Sequence, residues 1–256
     1  MSLLNSDSKI KFLKAVIISK EKIAAHTYHL KVQGDDNKNI DFTPGMHMKV
    51  VVELIDDSLQ NVKLRSYSIW DINSEKGTID IAVCTHSSGL GSKWIEQAEA
   101  GDDFYFFLKK TLIVDNSADN YFFIGDISTL GHFYKINRAL PKDKKVFSFM
   151  YGNETDFFPD LDGSKPFNFY MLHSDKHLPA PIDFLEEKIT NTLNEIHIQK
   201  ANENNELTTD NYSIAYIGGD ARVCAELTNF FTRKLGWHPS QIKMKSFWNP
   251  DKVREE

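Results

Sequence analysis

Arg65-Ser66-Tyr67-Ser68 puts a guanidinium, a phenol ring and two hydroxyls within four positions. The tetrapeptide lies inside residues 62–70, an alternating run that suits a half-buried strand. On a strand, Arg65, Tyr67 and Ile69 share one face and Leu64, Ser66 and Ser68 the other. A guanidinium offers a fork for phosphate oxygens, and an aromatic beside it offers a flat plate for a ring system. A neighbouring serine can hydrogen-bond a ring nitrogen. A flavin nucleotide would use all three. Taken alone, the pattern equally describes a surface arginine beside a core tyrosine.

A second stretch reads His86-Ser87-Ser88-Gly89-Leu90-Gly91-Ser92-Lys93-Trp94-Ile95. Its glycines allow a tight turn, and Gly91-Ser92 opens a short helical pattern ending near Ala98. Free backbone N–H groups at a helix start favour a phosphate. A flexible Ser/Gly hairpin that happens to precede a helix would read the same way.

These residues need elements to position them. The 256 residues suffice for one large domain or two smaller ones. A hydrophobic share of 41% and a charged share of 26% are those of a globular chain and exclude disordered and fibrous classes. The net charge of -6 argues against nucleic-acid binding, which wants a basic face, so an anionic ligand needs a local basic patch. Two distant cysteines, Cys84 and Cys224, form neither a metal-ligand spacing nor a disulfide framework, which fits a reducing compartment. No signal-peptide core and no stretch of transmembrane length is present, so a cytoplasmic protein without membrane association is expected.

Residues 12–114 read as short strands punctuated by turns, with no helical pattern among most of them, which indicates an antiparallel barrel or sandwich. Strands are expected at 12–19 and 27–32, separated by the Lys20-Glu21-Lys22 charge cluster, and at 46–54, 62–70, 78–85 and 104–108. From about residue 115, apolar runs at 121–124, 146–151, 167–172 and 214–217 alternate with helical patterns at 129–140, 184–193 and 223–235. Residues 196–198 read as a further short strand. Strands buried on both faces and alternating with helices indicate a parallel α/β sheet, whose ligands sit beyond the strands' carboxyl ends. Gly125-Asp126-Ile127-Ser128-Thr129 and Gly218-Gly219-Asp220 occupy two such ends, although glycines also terminate strands with no ligand nearby. A Gly-x-Gly-x-x-Gly fingerprint is absent.

Arg65-x-Tyr67-Ser68, Gly89-x-Gly91-Ser92-x-Trp94 and Gly101-Asp102 resemble the flavin-binding signature of the ferredoxin reductase-like superfamily. Within it the chain is most similar to siderophore-interacting proteins, flavin-dependent ferric-siderophore reductases. That family's Gly-x-His-x-Lys strand stands here as Gly45-Met46-His47-Met48-Lys49, and its strand ending in His as Ala82-Val83-Cys84-Thr85-His86. The spacing of the Gly-Asp and Gly-Gly-Asp strand ends resembles the same family. Three departures stand out: Ile127-Ser128 replaces Glu-Thr after Gly-Asp, and Phe247-Trp248-Asn249-Pro250 replaces Tyr-Trp-Arg-x-Gly. Trp70 and Asp71 stand where a further arginine is usual.

The resemblance implies two domains, a flavin-binding antiparallel β-barrel over 1–114 and a parallel α/β nicotinamide-binding-like domain over 115–256. Arg65 would contact the FAD pyrophosphate. Tyr67 would stack on the ring and Ser68 would lie near its reactive edge, which makes these two the catalytic pair. Ser66, Thr85 and His86 would flank the cofactor, with Gly89, Gly91 and Ser92 at its phosphates and Trp94 nearby. Asp126, Ser128, Thr129, Gly219 and Asp220 would receive NAD(P)H, and Trp248 would cover the flavin edge. Lys49 and Lys252 would attract the substrate, aided by Lys243, Lys245 and Arg254. No protein-held metal is expected; iron comes with the substrate. The implied function is ferric-siderophore reduction releasing Fe(II), with electrons from NAD(P)H or a ferredoxin. A reductase of the same fold with another acceptor, or a non-enzymatic flavin- or siderophore-binding protein, are the alternatives.

Overall fold

The computed structural model describes residues 11–56, 58–85, 89–173, 182–203 and 212–249. Two layers of architecture follow one another along the chain. Six antiparallel strands close a barrel in the order β1-β2-β5-β4-β3-β6. They are β1 (Leu13–Ala24), β2 (Thr27–Gln33), β3 (Met46–Leu54), β4 (Val62–Asn73), β5 (Thr78–Cys84) and β6 (Asp103–Lys110), with helix α1 (Leu90–Gln97) between the last two. Closure removes exposed strand edges. The barrel is filled by Met46, Met48, Val50, Ile69, Ile79, Ile81, Phe104 and Phe106, which alternate along their strands as the pleat requires.

The chain then passes into a five-stranded parallel sheet, ordered β11-β10-β7-β8-β9. Its elements are β7 (Asn120–Asp126), α2 (Ile127–Ala139), β8 (Lys145–Gly152), β9 (Tyr170–His173), α3 (Ile182–Glu203), β10 (Ser213–Asp220), α4 (Ala221–Asn229) and β11 (Ile242–Trp248). Every residue of the neighbouring strands β7 and β10 is buried, as expected of strands covered on both faces. One cover is α2, which also lies on the barrel. There Gly131 admits Trp70 so closely that a Cβ would stand 3.2 Å from the indole.

Trp70 of β4 is the wedge between the two parts. It is 2% exposed, stacks on Tyr134 of α2 and meets Phe158 edge-on, with ring centroids 4.8 Å apart. Its Nε1 donates to Asp160 at 2.8 Å. Arg138 of α2 donates to the Trp70 carbonyl at 2.7 Å and faces Asp71, Asp160 and Asp162. A strap after β8 adds His26–Asp156 at 2.6 Å and a backbone bond from Ala25 to Thr155.

Three sequence expectations need correction. Lys20-Glu21-Lys22 does not separate two strands; β1 runs through it, paired with β2 at Leu30, His29 and Tyr28. Lys20 Nζ donates there to the last carbonyls of α1, those of Ile95 and Glu96. Residues 196–198 are not a strand but part of the 22-residue α3, with Ile196 buried against the sheet. Helix α2 begins at Ile127, two residues before the periodicity suggested, because Asp126 caps it by accepting from the Ser128 N–H. Among the described residues, no helix is long and apolar enough to cross a membrane.

Candidate functional site

At the junction of barrel and sheet lies a cavity of about 410 Å³. β4 supplies Arg65, Ser66 and Tyr67, and β3 supplies Lys49. The first turn of α1 supplies Gly91 and Ser92, with Gly89 just before it. Ser128 comes from α2, and Lys245, Ser246, Phe247 and Trp248 from the end of β11.

Tyr67 is 8% exposed and stacks on Trp94, with centroids 5.8 Å apart and planes 28° apart. Trp94 therefore stands behind the phenol ring and does not line the cavity. A Cβ at Gly91 would stand 2.5 Å from the Tyr67 hydroxyl, so only glycine lets α1 close over the ring. Burial raises the Tyr67 phenol well above its ordinary range, keeping it protonated. Ser92 is 5% exposed, and its Oγ has no hydrogen-bond partner in the protein. An orphaned buried hydroxyl in the first turn of a helix, beside Arg65, is a fitting donor for a phosphate-bearing ligand.

The cavity is basic. Among the described residues no aspartate or glutamate lines it, while Lys49, Arg65 and Lys245 do. Burial lowers the Lys49 pKa, and the charges of Arg65 and Lys109 lower it further. Burial and then the Lys49 charge lower that of Lys245. Like charges held close together favour an anion among them.

Below Phe247 lie two buried imidazoles, His47 at 2% and His132 at 1% exposure, each meeting the phenyl ring edge-on. His47 lies opposite Thr111 Oγ1 at 3.3 Å. Burial, with help from Lys245, lowers the His47 pKa to about 3 and that of His132 to about 4. Neutral imidazoles amid lysines form part of the packing.

The remaining expected residues divide. Ser68 is 1% exposed and outside the lining; its hydroxyl donates to the Ser128 carbonyl at 3.1 Å, joining barrel to α2. Thr85 also lies outside, its N–H bonded to the His26 carbonyl. Asp126 is 5% exposed, and its carboxylate accepts from Ser128, Asp220, Tyr151 and Trp248. Thr129 donates to the Asp126 carbonyl at 2.6 Å, and its methyl packs into the space left by Gly218. Gly219, at φ +112, lies against the Asp126 carboxylate. Asp220 caps α4 and pairs with Arg222 at 2.7 Å. His86 and Lys252 lie outside the described residues. Lys245, read from sequence only as adding to a general field, and Cys84, given no role at the site there, both line the cavity. The one available signal for Lys245 was its place two residues before the Phe247-Trp248 pair.

Residues 14–106 match the model of the oxidoreductase FAD-binding domain. A sequence comparison with curated proteins gives no significant match. Among solved structures, a siderophore-interacting protein from Acinetobacter baumannii is similar at a TM-score of 0.72 and 13% identity, over 96% of each chain. One from Aeromonas hydrophila reaches a TM-score of 0.73 at 16% identity, over 95% of this chain and 94% of the other. A ferredoxin-NADP+ reductase from Plasmodium falciparum reaches 0.66 at 15% identity, over 96% of this chain and all (100%) of the other. This chain therefore has the two-domain fold shared by siderophore-interacting proteins and ferredoxin reductases, with the FAD-binding match falling on its barrel.

Proposed function

We propose that this chain is a cytoplasmic FAD-dependent reductase that takes electrons from NAD(P)H or a ferredoxin and passes them to a ferric siderophore, releasing Fe(II). The division at residue 114, between the last barrel strand and β7, belongs to the same reading. Its main support is the convergence of Arg65, Tyr67, Ser92, Lys49 and Lys245 on one cavity between the two parts.

Arg65 and the first turn of α1 would hold the FAD phosphates, with the Ser92 hydroxyl as an added donor. Tyr67, backed by Trp94, would carry the ring on a plate already fixed by packing. FAD supplies the passage from a two-electron donor to a one-electron acceptor. Lys49 and Lys245 would draw an anionic ferric chelate to the cavity. Fe(II) is held far less tightly than Fe(III) by hard oxygen donors, so reduction frees the metal.

A second reading concerns the donor. Asp126, Thr129 and Asp220, expected at the nicotinamide, are engaged within the protein. That observation favours a ferredoxin over NAD(P)H. Anaerobic titration of FAD-loaded protein with NADH, NADPH and a reduced ferredoxin, followed by a ferric catecholate and a ferrous-iron indicator, tests both readings. The proposal expects bleaching by at least one donor and Fe(II) on adding the chelate. A flavin bleached by none of them would leave a binding protein, and bleaching without Fe(II) would move the activity to another acceptor.

A further inference from the structure

Trp248 lines the cavity from the end of β11, and its indole Nε1 donates to Asp126 Oδ2 at 2.8 Å. The same oxygen accepts the Asp220 N–H at 2.9 Å and the Tyr151 hydroxyl at 3.4 Å. Oδ1 accepts the Ser128 N–H at 2.9 Å and the Ser128 hydroxyl at 2.5 Å. Five donors from four chain segments thus converge on one buried carboxylate, which offers about four lone-pair sites. Nothing is left to accept from a ribose or a carboxamide. Gly219 makes the arrangement possible, because any side chain there would collide with the carboxylate.

We infer that Asp126 is the latch of Trp248, a positioning residue that fixes the indole at the wall of the cavity and does not itself bind the nucleotide. The geometry has a direct physical reading. A bond to a charged acceptor is short and strong, and this one ends on a carboxylate that is itself only 5% exposed. Among the cavity-lining residues from β11, only Trp248 is tied in this way to the capping residue of α2. A ligand that needs the place of the indole must break the bond. A donor that delivers electrons from outside the cavity need not. The part of this inference that concerns FAD rests on the function proposed above; the latch itself does not.

The test therefore begins with protein free of FAD. The indole N–H resonance that disappears in Trp248→Phe identifies Trp248 by NMR, and the latch predicts that this proton exchanges slowly with solvent in the wild type. In Asp126→Asn an amide faces the donors, so the same proton should exchange faster. Ser128→Ala, which removes a partner of Oδ1 only, should leave it protected. The second step is FAD titration. Asp126→Asn and Trp248→Phe should each weaken binding by about tenfold, the size of one hydrogen bond to a charged group, and the double variant no further. Rapid exchange of the Trp248 proton in the wild type overturns the latch, whether or not Asp126→Asn folds. So does equal loosening by Ser128→Ala, or additive loss in the double variant. Wild-type protein with a protected indole but no FAD affinity overturns the flavin reading and supports the latch.

Discussion

Lys49 and Lys245 enter one cavity from opposite sides of the domain junction, and the charge of the first helps hold the second below the ordinary lysine range. The folded protein thus gives up these protons more readily than the unfolded chain. Stability without ligand should accordingly rise as the pH climbs toward the lysine range. Replacing Lys245 by Met removes a desolvated charge and leaves the fold intact. Urea titration should show Lys245→Met at least as stable as wild type at neutral pH. Its KM for an anionic ferric chelate should rise about tenfold, as for one lost charged contact. An unchanged KM would remove Lys245 from substrate attraction.

Arg65 is the fork of the site. Its conversion to Ala should cost about 1.5–3 kcal/mol of FAD affinity, roughly tenfold to a hundredfold in Kd. Lys at this position should restore only part of the loss, because a point charge does not reproduce the fork. Fluorescence titration with FAD measures both.

Gly91→Ala tests how closely α1 must lie on Tyr67. The added methyl meets the tyrosine hydroxyl at 2.5 Å, so ring or helix must shift. Overpacking of this kind costs about 1–3 kcal/mol. Both the thermal midpoint and FAD affinity should fall, whereas Gly101→Ala, in open space on the surface but at φ +103, should affect only the midpoint.

His47 and His132 set the acid limit. Their pKa values of about 3 and about 4 lie below the unfolded value near 6.5, so the unfolded chain binds the extra protons. Stability is complete above about pH 6.5 and falls as the pH drops toward the folded values. At pH 5 each histidine should cost about 2 kcal/mol. Replacing His132 by Phe should flatten the acid side of the stability curve, measured by urea titration from pH 7 to about 4.5.

Arg138 ties α2 to the end of β4 and to the segment after β8. It is 9% exposed beside the nearly buried Asp160 and the more exposed Asp71 and Asp162, and Arg138→Ala leaves the Asp160 carboxylate without its cation. A loss of about 3–5 kcal/mol in unfolding free energy is expected. Arg138→Lys should recover part of it.

Much of this was legible in the chain. The bounds of β3 and the start of the Arg65 strand follow from alternation, although β4 runs three residues past Trp70, and the buried runs of β7 and β10 follow from unbroken apolar composition. The glycines around the start of α1 were read as a tight-turn device; Gly91 instead lies inside the helix and serves the close approach to Tyr67. What escaped the sequence depends on distant partners. Lys20 looked like a strand end because its partners, the carbonyls of Ile95 and Glu96, lie some 75 residues away. Asp126 looked like a ligand residue because its donors Asp220 and Trp248 lie 94 and 122 positions on. Residues 196–198 carry β-branched side chains that fit a strand, yet Ile196 finds its burial on α3. Local pattern reports an element's type; which face meets which neighbour is a tertiary fact.

The most direct measurement is the visible absorption spectrum of the purified protein after incubation with excess FAD and removal of the unbound dye. Stoichiometric yellow protein that loses its colour to the Arg65→Ala substitution is the predicted result. Protein that comes through the column colourless, or binds the dye equally well without Arg65, would contradict the account.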